Sequence, residues 1–393
     1  MTPRTFALFG FVSAALVAAL PVCAAEEKVE PTRAILVDAS NGNVLHAVAP
    51  DATFPPGNLA KLMTLAVIGD AVGASRISGQ TPYLVSERAW RTGGAPSRNT
   101  TMFAKLKSYV SVNDLMRGMA VVQANDAAIV LAEGFAGSED NFVLQMNAYA
   151  DRIGLKDTRY VNATGLPAPN QTTTARDTVR LLRHLIEKQP DIYKLLSAES
   201  IDWSDIFQRN KNPYLSDPKG TDGGFVGAAQ DFGHFSALST VRDGRRLIAM
   251  VGGLPNADSR DTVTRQLLEL GFNGFIERQI FAGDAPITTV RVFGGEATHV
   301  ALYAPDAIKI AVPRAVEGKV VARVVYDGPL TAPLRQGETV ATLRVWRDGQ
   351  LQREVPLHTR EDIPVGGLVR RATDSVRELA ISAFRSLVPG GGA

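Results

Sequence analysis

The spacing of apolar residues changes several times along the chain, and each change marks an element. Residues 33–51, RAILVDASNGNVLHAVAPD, alternate apolar with polar on either side of Ser40-Asn41-Gly42-Asn43, which predicts a hairpin at the edge of a sheet. From Asn58 to about Val72 the apolar residues recur at helical spacing, and Asn58, behind Pro55, Pro56 and Gly57, is the predicted N-cap. Between about Val112 and Lys188, runs such as VNDLMRGMAVVQANDAAIVLAEGFAG and EDNFVLQMNAYADRIGL repeat apolar residues three and four apart, which predicts a helical cluster. Glu139 and Asp140 in it read as first-turn acids of a helix rather than a catalytic pair. Strand character returns in HFSALSTVRDGRRLIAMVGGL, with Asp243-Gly244 as a hairpin turn. Residues 261–281, DTVTRQLLELGFNGFIERQIF, read as a helix that closes the first domain.

Beyond about Pro286 the texture becomes short β-branched runs broken by Gly and Pro: TTVRVFGG, IKIAVPR, KVVARVVYDG, ETVATLRVWRDGQ. These predict a small all-β domain over residues 286–369. The segment 370–388 sets Val376, Leu379, Ile381, Phe384 and Leu387 near one helical face, with Arg370, Arg371, Arg377 and Arg385 alongside. Such a helix can lie on a membrane surface or pack on the β domain, and a Gly-rich tail follows it to residue 393. At the other end, the charge-free run TFALFGFVSAALVAALPV after Arg4 leads to small residues, a secretory signal over residues 1–25. The expected plan is therefore signal, a first domain over 26–285, the β-rich domain, and the terminal helix and tail; the expected compartment is the periplasm.

Composition narrows the functions. The 393 residues are 45% hydrophobic and 21% charged, as in a globular protein with room for two or three domains. A net charge of +2 without clustered Lys and Arg argues against a nucleic-acid partner. Cys23, the one cysteine, leaves with the signal, and disulfide and thiol chemistry leave with it. None of the five histidines pairs with another at a helical metal-ligand spacing, so neither metal nor other cofactor is expected.

The order of hairpin, PPGNLAKLMT, the run from RGMAVVQANDAAIVLAEGFAG to VNATGL, TARD, DGGFVG and GHFSALSTVRDGRRLIAMVGG resembles the serine-type D-alanyl-D-alanine carboxypeptidases, which are low-molecular-mass penicillin-binding proteins. The β-rich part, with APLRQGETVATLRVWRDGQ and EDIPVGG, resembles that family's C-terminal domain. The resemblance implies an α/β fold: a mixed transpeptidase-like domain followed by a small all-β domain. It also implies peptidoglycan stem peptides as substrate, cut through an acyl-enzyme. The family's chemistry brings together Ser-x-x-Lys, Ser-x-Asn and Lys-Thr-Gly, which supply nucleophile and base, proton relay and substrate-holding amide, and a grip on the substrate carboxylate.

Each of these motifs is altered here. Asn58 stands in the position of the serine, with Lys61 retained; Gln123-Ala124-Asn125 replaces Ser-x-Asn; and Phe225-Val226-Gly227 replaces Lys-Thr-Gly. A carboxamide is no acyl acceptor, and loss of the nucleophile of a covalent mechanism costs turnover on the order of 10⁶. The expectation is a protein without acyl transfer that binds stem peptides or a cell-wall synthesis protein. The alternative is an active carboxypeptidase. Lys61, Asn125, Arg176 and Arg246 are the candidate ligand contacts, the two arginines because they match family positions near the substrate carboxylate. Phe225 is expected to turn a cationic grip into an apolar one. Ser216-Asp217-Pro218-Lys219 repeats the first motif formally, but Pro218 opposes the helical turn that would join its ends.

Overall fold

The computed structural model describes residues 29–216, 220–314, 319–347 and 349–375. The expected signal, Cys23, Lys219 and the apolar face from Val376 onward lie outside the described residues. Strands β1 (Arg33–Asp38) and β2 (Val44–Val48) form the expected hairpin. A 3-10 turn, Gly57–Leu59, then leads into α1 (Ala60–Gly73), which is buried on almost every side. The short strand β3 (Pro82–Leu84), helix α2 (Glu87–Thr92) and strand β4 (Tyr109–Ser111), which pairs with β3, follow.

Helices α3 (Val112–Val122), α4 (Asn125–Ala136), α5 (Glu139–Arg152), α6 (Ala175–Lys188) and α7 (Pro190–Leu195) form the cluster around α1. Polar side chains fix where three of them begin. Ser111, Ser138 and Thr174 accept the backbone N–H of Asp114, Asn141 and Asp177, each satisfying one of the donors that a helix start leaves open.

After the β5 (Ser200–Trp203) and β6 (Ile206–Arg209) pair, strands β7 (Thr221–Ala229), β8 (Gly233–Arg242) and β9 (Arg245–Leu254) complete a five-stranded sheet. Its order is β2-β1-β9-β8-β7, which makes β7 an edge. Strand alternation divides the side chains between two cores. Ile35, Val37, Phe225, Ile248 and Met250 face the helical cluster, while Leu36, Leu247, Ala249 and Val251 face helix α8 (Ala257–Asn273).

Helix α8 stops short of the expected Phe281. Gly274 caps it by donating to the Leu270 carbonyl, and residues 275–281 form strand β10 (Phe275–Phe281). The apolar spacing of this stretch resembles the helix before it, so the glycine and not the periodicity marks the end. The β-rich part adds β11 (Pro286–Phe293), β12 (His299–Tyr303), β13 (Ile308–Pro313), β14 (Val320–Val325), β15 (Leu330–Thr331), β16 (Thr339–Arg347) and β17 (Gln350–Thr359). Six of these form one sheet in the order β14-β16-β17-β12-β11-β15, and β13 pairs with β10. Val292, Val300, Leu302, Leu343, Val345 and Leu357 make the center of its core.

The two parts are joined by polar contacts at β2 and β13. Buried Arg347 on β16 donates to the Ala311 carbonyl at 2.7 Å and to the Leu45 carbonyl at 3.1 Å, while Asn43 donates to the Lys309 carbonyl at 3.2 Å. Residues 368–375 begin a helix, with Leu368 and Val369 exposed. Among the described residues no helix is long and apolar enough to cross a membrane.

Candidate functional site

A cleft of about 790 Å³ opens where the entry of α1, the α3–α4 junction, the loop 164–169 and the edge strand β7 meet. Asn58, Lys61, Gln123, Asn125, Val226 and Gly227 all line it, so the three altered motifs converge in space.

Asn58 does not cap α1 as expected. Pro56 already has helical backbone angles and the chain enters through a 3-10 turn, so the cap falls at Leu59, with no side-chain bond. The carboxamide instead spans the cleft. Its Nδ2 donates to Gln123 Oε1 and to the Val226 carbonyl at 2.8 Å. One side chain thus links all three altered segments. Asn58 Oδ1 and Gln123 Nε2 are buried and have no hydrogen-bond partner among the described residues. Gly227 makes room for the arrangement, since a Cβ there would lie 2.4 Å from Asn58 Oδ1. Gln123 is directed into the cleft by the end of α3, where it adopts a left-handed conformation with φ 59°.

Lys61 is 2% exposed and its Nζ donates to the Thr164 carbonyl at 2.6 Å. Burial pulls its pKa down to about 7, against a smaller opposing pull from the Asp126 carboxylate. The partner loop is held close. Gly165 has φ +80°, and a Cβ there would overlap the Gly57 carbonyl at 1.6 Å, so that position requires glycine. Buried Glu139, read above as a first-turn acid, anchors the same loop by accepting the Ala163 N–H at 2.8 Å and pairs with Arg88.

Asn125 is nearly buried, and its backbone N–H donates to the Thr100 carbonyl at 2.8 Å. The fastening of α4 to the preceding loop falls mainly to its neighbour. Asp126 accepts Thr101 Oγ1 at 2.6 Å and the N–H groups of Met102 and Ala104, and burial raises its pKa.

Three candidates lie away from the cleft. Phe225 is fully buried in the core on the helical side of the sheet, and the strand wall of the cleft is formed by Val226, Gly227, Ala228 and Ala229. The expected apolar grip is therefore a core residue. Arg246 is paired with Asp222 at 2.8 Å and donates to Ser239 Oγ. Arg176 lies on α6, paired with Asp51 at 2.6 Å. Ser216 does not line the cleft. Conversely, the wall Leu166, Pro167, Ala168 and Pro169 and the exposed Lys211 were not anticipated. The Pro-Ala-Pro run was the available signal for a rigid wall, while Lys211 carried none.

Chemically, the cleft can hold polar and apolar groups, but among its described lining residues there is no serine. Of its hydroxyls, Thr164 donates to Asn162 Oδ1 at 2.8 Å and accepts the Leu166 N–H, which ties it into its own turn.

Comparison with known proteins places this arrangement in a class. Residues 21–256 match the family model described as D-alanyl-D-alanine carboxypeptidase, and residues 275–365 match that of the penicillin-binding protein 5 C-terminal domain. The chain belongs to the D-alanyl-D-alanine carboxypeptidase family of low-molecular-mass penicillin-binding proteins. It is 34% identical to the D-alanyl-D-alanine carboxypeptidase DacC of Escherichia coli K12 over 87% of this chain and 86% of that one. With DacA of Haemophilus influenzae it shares 32% identity over 86% and 87% of the two chains. Penicillin-binding protein 5 from Haemophilus influenzae superposes with a TM-score of 0.70 at 32% identity, covering 85% of this chain and 97% of that one. Penicillin-binding protein 6B from Escherichia coli gives 0.63 at 29% identity, over 86% and 98%.

Proposed function

We propose that this protein is exported to the periplasm and binds peptidoglycan stem peptides, or a protein of cell-wall synthesis, without acyl transfer. One observation carries the reading: the carboxamide of Asn58, the residue that the motif resemblance sets in the serine's position, is hydrogen-bonded to both Gln123 and Val226. The lone pair of a carboxamide nitrogen is delocalised into its own carbonyl and is not available for attack on another, and the two hydrogen bonds hold the group in place across the cleft. Lys61 remains beside it with a lowered pKa, but it has no hydroxyl at position 58 from which to take a proton. Family membership favours the second reading, an active carboxypeptidase, and one experiment separates the two. The intact mass of the purified mature protein is measured after incubation with excess penicillin. An unchanged mass is expected. An adduct mapping to a single residue would establish a working nucleophile and end the non-catalytic reading. Residues 370–388 are proposed as a peripheral membrane contact; their removal should shift the protein from membrane to soluble fractions.

A further inference from the structure

A second concavity, of about 550 Å³, lies between α6 and the C-terminal β-rich part and shares no lining residue with the cleft. Its α6 wall carries Arg176, Arg180 and Arg183, and Arg353 of β17 faces it from the other part of the molecule. The acids in its lining are Asp306 and Glu354. The spacing on α6 is i, i+4, i+7, which keeps the three guanidinium groups on one face along about 10 Å of helix.

These arginines are not fully used by the fold. Arg176 is paired with Asp51, Arg180 with Asp177 at 3.4 Å, and Arg183 with Glu187 at 2.6 Å through Nε. A guanidinium has five N–H donors, so each pair leaves some open. Arg183 reaches over the β1–β2 turn, where a Cβ on Gly42 would lie 2.9 Å from its terminal nitrogen. Arg353 is half-buried and donates to the Lys309 carbonyl at 3.0 Å; among the described residues it has no ion pair within bonding distance. Burial lowers its pKa, Asp306 and Glu277 oppose that, and Arg183 adds repulsion. Arg183 and Arg353 thus line opposite walls of one groove, where Asp306 and Glu277 offset part of the charge, and their open N–H donors suit an oxyanion shared between them.

We propose that this groove binds an extended anion carrying two or more carboxylate or phosphate groups, one bridged by Arg183 and Arg353 and another held along α6 by Arg180 and Arg176. Occupancy would tie α6 to β17 and so couple the ligand to the joint between the two parts.

The test is calorimetric titration of the mature protein with tripolyphosphate and, separately, with tricarballylate at low salt. Saturable one-site binding of at least one probe is expected, weakening as salt is added. Arg353→Gln and Arg183→Gln, on opposite walls, should each weaken it by about tenfold or more. Melting curves without probe check that each variant is folded, and either variant alone suffices for the comparison. A preference for tripolyphosphate would assign a phosphate ligand, and a preference for tricarballylate a carboxylate one such as an acidic peptide. Absence of saturable binding by either probe, or wild-type affinity in a folded Gln variant, would overturn the proposal.

Discussion

At the scale of single residues, Lys61 and Asn58 divide what remains of the family's first motif. Lys61 is buried and, among the described residues, has no carboxylate in hydrogen-bond contact, and burial pulls its folded pKa to about 7 against an ordinary value of 10.5. The sign of its linkage follows. Between those values the unfolded chain holds a proton that the native protein does not, so the lysine's contribution to stability rises with pH across that window. Its burial penalty is fully present below about pH 7 and is lost as pH approaches 10.5. Lys61→Met should therefore gain on the wild type most at or below neutrality, with an advantage that shrinks by at most about 4–5 kcal/mol toward pH 10. Urea unfolding of both proteins at two pH values reads this directly. The companion change, Asn58→Ser, restores a hydroxyl near a lysine that is already largely deprotonated above pH 7. Slow accumulation of a penicillin adduct is expected in this variant and not in the wild type, and it should disappear in the double variant with Lys61→Met. The mass spectrum would show either result.

At the scale of elements, the pattern of the chain was a good guide wherever one face of a strand or helix is buried. The β1–β2 hairpin, the α3–α6 cluster and the Asp243-Gly244 turn between β8 and β9 were all legible, because alternation, helical spacing and turn chemistry agree at those places. The misreadings have specific causes. Asn58 looked like an N-cap because its residue type suits one, but the backbone had turned helical before it and freed the side chain for the cleft. Helix α8 was extended to Phe281 because β10 keeps apolar residues at a tolerable helical spacing. Phe225 was assigned to the cleft by motif position, yet strand alternation turns it into the core. That placement makes a prediction. Phe225→Lys, the direct attempt to restore the family's cation, should not create a substrate grip but should destabilise the first domain by about 3–5 kcal/mol, since it trades a packed ring for a buried charge. A fall in the denaturant midpoint checks it; a variant as stable as the wild type would mean that the side chain can reach solvent.

At the scale of the whole molecule, motif order in the chain foretold which segments would meet, but not how. Convergence of the segments around Asn58, Gln123 and Val226 follows from the family fold, whereas the carboxamide bridge, the 164–169 wall and the interdomain arginine groove depend on side-chain directions that no linear pattern carries. The joint between the two parts is similarly invisible in the sequence, because Arg347 sits in a β-rich run and finds the Leu45 carbonyl 302 positions away. Arg347→Ala would leave buried carbonyls unsatisfied and remove a cation from above the Phe275 ring. A cost of about 2–4 kcal/mol is expected, with calorimetric unfolding that broadens or splits as the two parts uncouple. The Asn58 bridge also has a mechanical consequence. Because one amide serves two partners contributed by distant segments, Asn58→Ser strands the Val226 carbonyl and Gln123 Oε1 together, whereas a change at Gln123 still leaves the amide the Val226 backbone carbonyl. A change at Asn58 is therefore felt in both other segments at once, so the bridge works as a keystone: the walls of the cleft keep their spacing through a single side chain.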